Sequence, residues 1–364
     1  MHNEEKVPKE YVSSFFEWFE SQEGLGSLDK YCKKVYDAIP NHALFDNNPS
    51  DYYLDWQSPA YVFTFPNGYV FGENGVIITP DNKLVWDLST EFNSSPADHS
   101  LFKRNHLPKV KSSTKTIGVI ATLGGHNYYH WMFDILPRFD LLTKSGIPID
   151  YYILNKCNFS YQRETLDLLR IPKEKIIQSS NDMFIQSKQL VVPSRTGYTT
   201  KWASDFLREK FLPFVNDMTT SSFGERIYIT REDAEGRRVL NEEEVVNFLN
   251  EQGFTKVSLQ NLSVVEQIHL FSKAKFIVGP HGAGLTNLTF CNPGTKVIEF
   301  FSPNYLETCY WLLSSFLDLN YRHIIGEGIH YDQYPNDSTY WSGLDNIKID
   351  IEQLKKVVND LQLE

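Results

Sequence analysis

The sequence predicts an α/β protein of two domains, each a parallel sheet wrapped by helices, with a β-meander added to the first. Three observations carry this. From about residue 115, short apolar strands alternate with segments of helical period, which implies parallel strands with helices on their faces. Two of those strands run through glycine-rich turns straight into helices, at Gly124-Gly125 and at Gly282-Ala283-Gly284. Between the two alternating blocks lies a polar segment, Asn216 to Gly224, with the composition of a linker. At 364 residues the chain exceeds one ordinary core and suits two.

Taken in order, residues 11 to 38 read as an amphipathic helical start that ends near Pro40. Strands follow at Tyr61–Phe65, Tyr69–Phe71, Val76–Thr79 and Leu84–Leu88, punctuated by Pro66-Asn67-Gly68, Asn74-Gly75 and Pro80-Asp81-Asn82. The period then changes. Thr116–Thr122 is a buried strand, 127–145 a helix, Tyr151–Leu154 a strand, 160–170 a helix, Leu190–Val192 a strand and 201–214 a helix. After the linker come strand Ile227–Thr230, helix 241–252, strand Lys256–Leu259, helix 263–274, strand 276–278, helix 283–290, strand Lys296–Phe301 and helix 305–317. A last helix covers about 350–362. The expected divisions are a helical segment over 1–40, an acceptor-side domain over 41–215, a Rossmann-like domain over 216–330, and a tail over 331–364 that packs back on the first domain.

Composition bounds the function. With 41% hydrophobic and 22% charged residues and no low-complexity tract, the chain is globular throughout. Its abundant Tyr and Phe serve a core or a sugar-stacking cleft. A net charge of -11 argues against a nucleic-acid-binding surface, so any phosphate site must be a local basic pocket. Cys32, Cys157, Cys291 and Cys309 are far apart and form no metal-type pair, as expected of reduced thiols. No apolar run nears the ~20 residues of a membrane span, and His2 to Lys9 does not read as a signal peptide. A cytoplasmic setting is expected, with peripheral membrane contact through a partner or a lipid-linked acceptor. The sequon Asn287-Leu288-Thr289 falls inside the glycine loop, where a glycan would be awkward.

The stretch Gly279-Pro280-His281-Gly282-Ala283-Gly284-Leu285-Thr286-Asn287 follows the apolar strand 276–278. Gly282 and Gly284 allow close backbone approach, the start of the next helix offers free N–H groups to an anion, and His281 adds a donor. A packing turn would use the same glycines. In the second stretch, Gly124 to Arg138, His130 and Asp134 stand four apart on one helix face, with Arg138 a turn further. That pair can supply a general base to an acceptor hydroxyl. An Asp134–Arg138 ion pair with His130 on a backbone carbonyl is the structural alternative. Gly125, His126 and Asn127 precede the helix as candidate acceptor or cleft residues. A metal set of His126, His130 and Asp134 fits poorly, because His126 sits in the loop.

Arg226, Arg231, Arg237 and Arg238 open the second domain. Arg231 ends a strand on the glycine loop's sheet edge, where a guanidinium can grip phosphate in a bidentate manner. For Arg237 and Arg238 a solvated loop is at least as good a reading. Glu299, at a strand end, is a candidate acceptor for ribose hydroxyls. The chain lacks a phosphate-binding lysine loop, Gly-x-Gly-x-x-Gly, Gly-x-Ser-x-Gly and any Asp-x-Asp pair. A diphosphate would therefore be neutralised by protein groups, and no cofactor is expected.

Asn127-Tyr128-Tyr129-His130-Trp131 with Asp134, Pro137 and Arg138, then Ile227-Tyr228-Ile229-Thr230-Arg231, then Gly279 to Asn287 with Pro293-Gly294-Thr295 and Val297-Ile298-Glu299, together resemble glycosyltransferase family 61. The resemblance spans about residues 115 to 325. It implies a GT-B architecture, two Rossmann-like domains facing across a cleft, and inverting, metal-independent transfer from a nucleotide sugar to a glycan or lipid-linked oligosaccharide. A bacterial member of surface-polysaccharide (capsule) synthesis fits the expected lack of an anchor. On this reading Asp134 or His130 takes the acceptor proton, with Asp134 preferred as the base and His130 orienting it or the acceptor. Arg231, His281 and the Gly282, Ala283, Gly284, Leu285, Thr286, Asn287 turn hold the diphosphate of a UDP-sugar. A sugar-nucleotide epimerase or hydrolase, or a carbohydrate-binding protein without turnover, are the rivals.

Overall fold

The computed structural model describes residues 6–40, 56–216, 224–328 and 342–363. The expected linker over 217–223, the start of the acceptor-side domain over 41–55 and the tail over 331–341 lie outside the described residues. Contacts divide the chain into two units, the first ending at Tyr198 and the second beginning at Thr199.

The first unit is built on a ten-stranded mixed sheet. Its spine is the long strand Phe184–Pro193, parallel to Lys111–Val119, beyond which Tyr151–Leu154 and Ile176–Gln178 continue in parallel. Along its other edge the spine takes two antiparallel partners in succession, Tyr69–Phe71 and Ala60–Pro66. These two run in the same direction along the spine and are separated by a break at Asn67, at φ 55°. Val76–Ile78 and Lys83–Val85 complete the expected meander, although the chain turns helical at Trp86 instead of remaining extended to Leu88.

The N-terminal expectation fails. Only Phe15–Glu20 is α-helical, while Glu10–Val12 and Cys32–Tyr36 are strands. Gly24 and Gly26, both at positive φ, end any helix, and the free edge of Ala60–Pro66 recruits Cys32–Tyr36 as an antiparallel partner. The short helix still anchors the core. Phe15 stacks on Phe63 at 4.5 Å and Trp18 is buried beside Phe65, each burial contributing about 1.5–3 kcal/mol.

The second unit holds an all-parallel sheet in the spatial order Thr255–Val257, Arg226–Ile229, Phe276–Pro280, Lys296–Phe301, Asn320–Ile325. In chain order this reads 2-1-3-4-5, a doubly wound arrangement. The fifth strand was not anticipated, because Arg322 and His323 obscure its pattern. Two sequence boundaries are corrected here. Helix Lys201–Phe211, expected in the first domain, belongs to the second unit. There Phe211 packs on Phe290, and Arg208 donates to the carbonyls of Thr289 and Cys291, both at 2.7 Å. The last helix, Ile351–Leu363, buries Leu354, Val358 and Leu361 in the same core as Tyr228, Val278 and Phe300. It therefore packs on the second unit, not the first.

Candidate functional site

Each unit gathers polar side chains at one of the two glycine turns. In the first, Gly124 adopts φ +82°, and a Cβ there would lie 2.8 Å from the His130 ring. Glycine lets the imidazole rest against the backbone. At Gly125 a Cβ would meet the Asn155 amide, which ties the Thr122 N–H and the carbonyls of Thr122 and Glu73. Asn127 caps the following helix by accepting from the Tyr129 N–H at 2.9 Å. Between Tyr128–His130 and the α-helix Leu136–Ser145 the backbone makes a π-helical turn, Trp131–Ile135, a distortion frequent at functional sites.

His130 Nδ1 lies 2.7 Å from Asp134 Oδ2, so it carries the proton and donates to the carboxylate. The other oxygen, Oδ1, accepts from the Gly197 N–H at 2.9 Å. Burial by itself would raise the Asp134 carboxyl. The His130 hydrogen bond and charge, the nearby Arg195 and the Gly197 N–H outweigh it and hold the group below the usual carboxylate range. Asp134 is 2% exposed, whereas the His130 side chain is 21% exposed between the rings of Phe92 and Tyr129. This geometry is the opposite of the preferred expectation, in which His130 orients Asp134. The buried carboxylate orients the ring, and His130 Nε2 is the atom left to reach a ligand.

Arg138 does not pair with Asp134. Fully buried, it donates to the carbonyls of Ile120, Ala121 and Pro193 and ties together the ends of two parallel strands. His126 is exposed, and its carbonyl accepts from the Tyr161 hydroxyl at 2.7 Å, while Gln162 donates to the Gly125 carbonyl. These contacts make Gly125 and His126 loop anchors. Among the described residues no group of three or more His, Cys, Asp or Glu is placed to hold a metal ion.

In the second unit the glycine loop leaves the third strand and Arg231 follows the first. In a 2-1-3-4-5 sheet the carboxyl ends of those two strands form the topological switch point, where doubly wound folds take their ligands. Arg231 lies directly over Gly282: a Cβ added there would fall 2.0 Å from the guanidinium. Among the described residues its protein acceptor is the Gly236 carbonyl, at 3.2 Å from Nη2. Burial, then the like charge of Arg237, push the Arg231 guanidinium down to about 10. Arg237 Nε donates to the His281 carbonyl at 3.0 Å, and its guanidinium faces the Tyr305 ring. Among the described residues neither arginine forms an ion pair with a carboxylate, so their charge is open to an anion. A cavity of about 150 Å³ between Ile229, Arg231, Leu259, Gln260, Gly282 and Gly284 adjoins them. That is below the roughly 300–1,000 Å³ of a whole small-molecule site, and it suits one part of a nucleotide.

His281 is buried against Phe301, Tyr305 and Tyr310, with Nδ1 at 2.6 Å from Glu299 Oε1, leaving only Nε2 for a ligand. Glu299 does not face a ribose. It is fully buried, and its second oxygen accepts from the Tyr321 hydroxyl at 2.6 Å, so it orients His281. The turn Ala283–Phe290 is a 3₁₀ helix, narrower than the α-helix expected. Leu285, Thr286 and Asn287 are buried in it; Asn287 donates to Gln267 and to the Gly284 carbonyl, which makes these three supports of the loop. Of the four expected arginines, Arg226 sits at the opposite, amino end of its strand and Arg238 is exposed. The sequence reading missed Tyr305, Tyr321 and Glu307. Burial raises the Glu307 carboxyl, with His281 pulling it the other way.

Comparison with known proteins now bears on this geometry. Residues 128–298 match the family model Glycosyltransferase 61. A segment of 97 residues is 32% identical to the beta-1,2-xylosyltransferase RCN11 of Oryza sativa subsp. japonica, covering 24% of this chain and 18% of that protein. Another of 132 residues is 28% identical to a beta-1,2-xylosyltransferase of Arabidopsis thaliana, covering 30% of this chain and 25% of that protein. The matched segments thus span a quarter or less of those relatives' lengths. The bacterial iron-containing dodecameric glycosyltransferase TibC from enterotoxigenic E. coli H10407 aligns over 68% of this chain and 77% of its own at 11% identity, with a TM-score of 0.29, too low to carry an argument. Both motif-bearing turns, His130–Asp134 and Arg231 with Gly279–Asn287, fall within the region, residues 128–298, that matches the glycosyltransferase 61 family.

Proposed function

We propose that this protein transfers a sugar, with inversion, from a UDP-sugar to a hydroxyl of a glycan acceptor. The observation that carries the proposal is Arg231 packed on Gly282 at the switch point of the second unit, with Arg237 on the neighbouring His281 carbonyl, neither paired with a carboxylate among the described residues. The match of residues 128–298 to the glycosyltransferase 61 family supports the same chemistry. In the reaction, His130 Nε2 takes the acceptor hydroxyl proton while Asp134 steadies the imidazolium that forms. The freed oxygen attacks the anomeric carbon, and the bond to the diphosphate breaks with its electron pair on the leaving oxygen. Arg231, His281 and the N–H groups at Ala283 and Gly284 meet that charge, and losing one such donor commonly costs about 2.7–4 kcal/mol. The absence of an Asp-x-Asp pair from the sequence favours a metal-independent version.

A GT-B pairing of the two units, a glycan or lipid-linked oligosaccharide as acceptor, and a place in bacterial surface-polysaccharide (capsule) synthesis belong to the same proposal. All four cysteines are free thiols, which suits the cytoplasm. No helix among the described residues is long and apolar enough to cross a membrane. A pentosyl donor ranks first for trial because both plant relatives are named xylosyltransferases.

The test is release of nucleoside diphosphate from UDP-, GDP- and CMP-sugars with EDTA present, beginning with UDP-xylose. Turnover of one UDP-sugar, lost in Arg231→Ala, is expected. Release that needs added metal would overturn metal independence. Absence of any nucleotide binding would overturn the donor site.

A further inference from the structure

The first unit contains a second cavity, of about 160 Å³, outside the His130–Asp134 pair. One wall includes Leu123, which adjoins Gly124, on whose Cα face the His130 ring rests. Another wall includes Thr90, whose carbonyl accepts from Arg195 at 3.1 Å; two residues on, the Phe92 ring lies 5.6 Å from His130. The cavity is thus lined by residues one and two positions along the chain from those that touch the His130 ring.

Its chemistry is specific. Phe71 and Leu88 give an apolar floor, and the Arg104 guanidinium sits 4.7 Å above the Phe71 ring. The Glu91 carboxylate is fixed in place by the Ser100 N–H at 2.9 Å and the Ser100 hydroxyl at 2.5 Å, leaving lone pairs for a ligand. Glu73 adds a second carboxylate on the Gly72–Gly75 turn. His99, buried at the back, is committed on both nitrogens, Nδ1 accepting from the Leu101 N–H and Nε2 facing the Ser89 carbonyl. Two carboxylates and one guanidinium beside apolar side chains match the hydroxyls of an uncharged sugar. The net negative charge disfavours an acidic one.

We infer that this cavity is a subsite for one neutral sugar residue of the acceptor, held by Glu91, Glu73 and Arg104. The assignment of a substrate role rests on the transferase reading, but sugar binding can be measured without turnover. Saturation-transfer NMR and calorimetry with the methyl glycosides of xylose, glucose, galactose and mannose, and with glucuronate as the acidic control, provide the test. At least one neutral glycoside is expected to bind the intact chain. Glu91→Gln and Arg104→Ala should each weaken it about tenfold or more, and Arg231→Ala should leave it unchanged. Arg104 is exposed, so its variant keeps the test independent of any folding defect at Glu91. Binding of no neutral glycoside, binding indifferent to both variants, or a preference for glucuronate would each overturn the inference. Glycoside binding that depends on Glu91 and Arg104, in a protein that binds no nucleotide, would sink the transferase reading and leave the sugar subsite standing.

Discussion

Replacing Asp134 by Asn separates the two possible bases, because the structure dictates how an amide would sit there. The Gly197 N–H points at Oδ1, so an amide oxygen must occupy that position. Its NH₂ then faces His130 Nδ1, which can only accept. The imidazole proton moves to Nε2, the atom that has to take the acceptor proton, and the base is blocked with little change of shape. General-base catalysis contributes about 10²–10⁴-fold, so kcat should fall by that factor, about 3–6 kcal/mol at roughly 1.4 kcal/mol per tenfold. The assay is acceptor-dependent release of nucleoside diphosphate, with donor affinity measured in parallel. Asp134→Asn and His130→Ala should lose similar amounts, the double variant little more than either, and donor Kd should stay within about twofold. An Asp134→Asn enzyme within a few-fold of the intact one, or a His130→Ala enzyme that keeps its rate while Asp134→Ala loses it, would refute the assignment.

Four further outcomes follow from the same geometry. Gly282→Ala should weaken UDP binding about tenfold or more by displacing Arg231, with little loss of Tm, since Gly282 has extended φ that any residue adopts; calorimetry and thermal melts read both. Arg231→Lys should not restore what Arg231→Ala loses, because a point charge cannot replace a planar fork, and a competition titration with UDP reports it. Glu299→Gln should destabilise the fold by about 1–3 kcal/mol in urea, since the amide turns a donor toward either His281 or the Tyr321 hydroxyl. For Asp134, the folded carboxyl sits below an unfolded value of about 3.9, so its ionic contribution is complete above that value and fades as pH falls through the folded one. Urea midpoints of the intact chain and Asp134→Asn should therefore differ by a constant amount near neutrality and converge toward pH 3.

The alternation of strands and helices was legible because both sheets contain buried parallel strands, whose apolar runs and intervening helical periods stand out in a linear reading. The N-terminal 40 residues misled, since strand Cys32–Tyr36 gains its identity from a partner about 30 residues away. At the site, the spacing of His130 and Asp134 revealed the pair but not which member is exposed. That depends on a π-helical turn and on the Gly197 loop, neither of which has a local signature. Glu299 was misread as a strand-end carboxylate. Its strand is flanked on both edges, and its partner Tyr321 lies on a strand that Arg322 and His323 disguise. Arg231 was found because the residue after an apolar strand is a place sequence can fix. The role of Arg237 depends on its bond to the His281 carbonyl, which joins residues 44 apart.

A crystal structure of the protein grown with UDP tests the central claim most directly. The account predicts the diphosphate at the carboxyl ends of strands Arg226–Ile229 and Phe276–Pro280, within hydrogen-bonding distance of the Arg231 guanidinium and the Ala283 and Gly284 N–H groups. Nucleotide bound elsewhere, or a diphosphate that leaves Arg231 on the Gly236 carbonyl untouched, would contradict it.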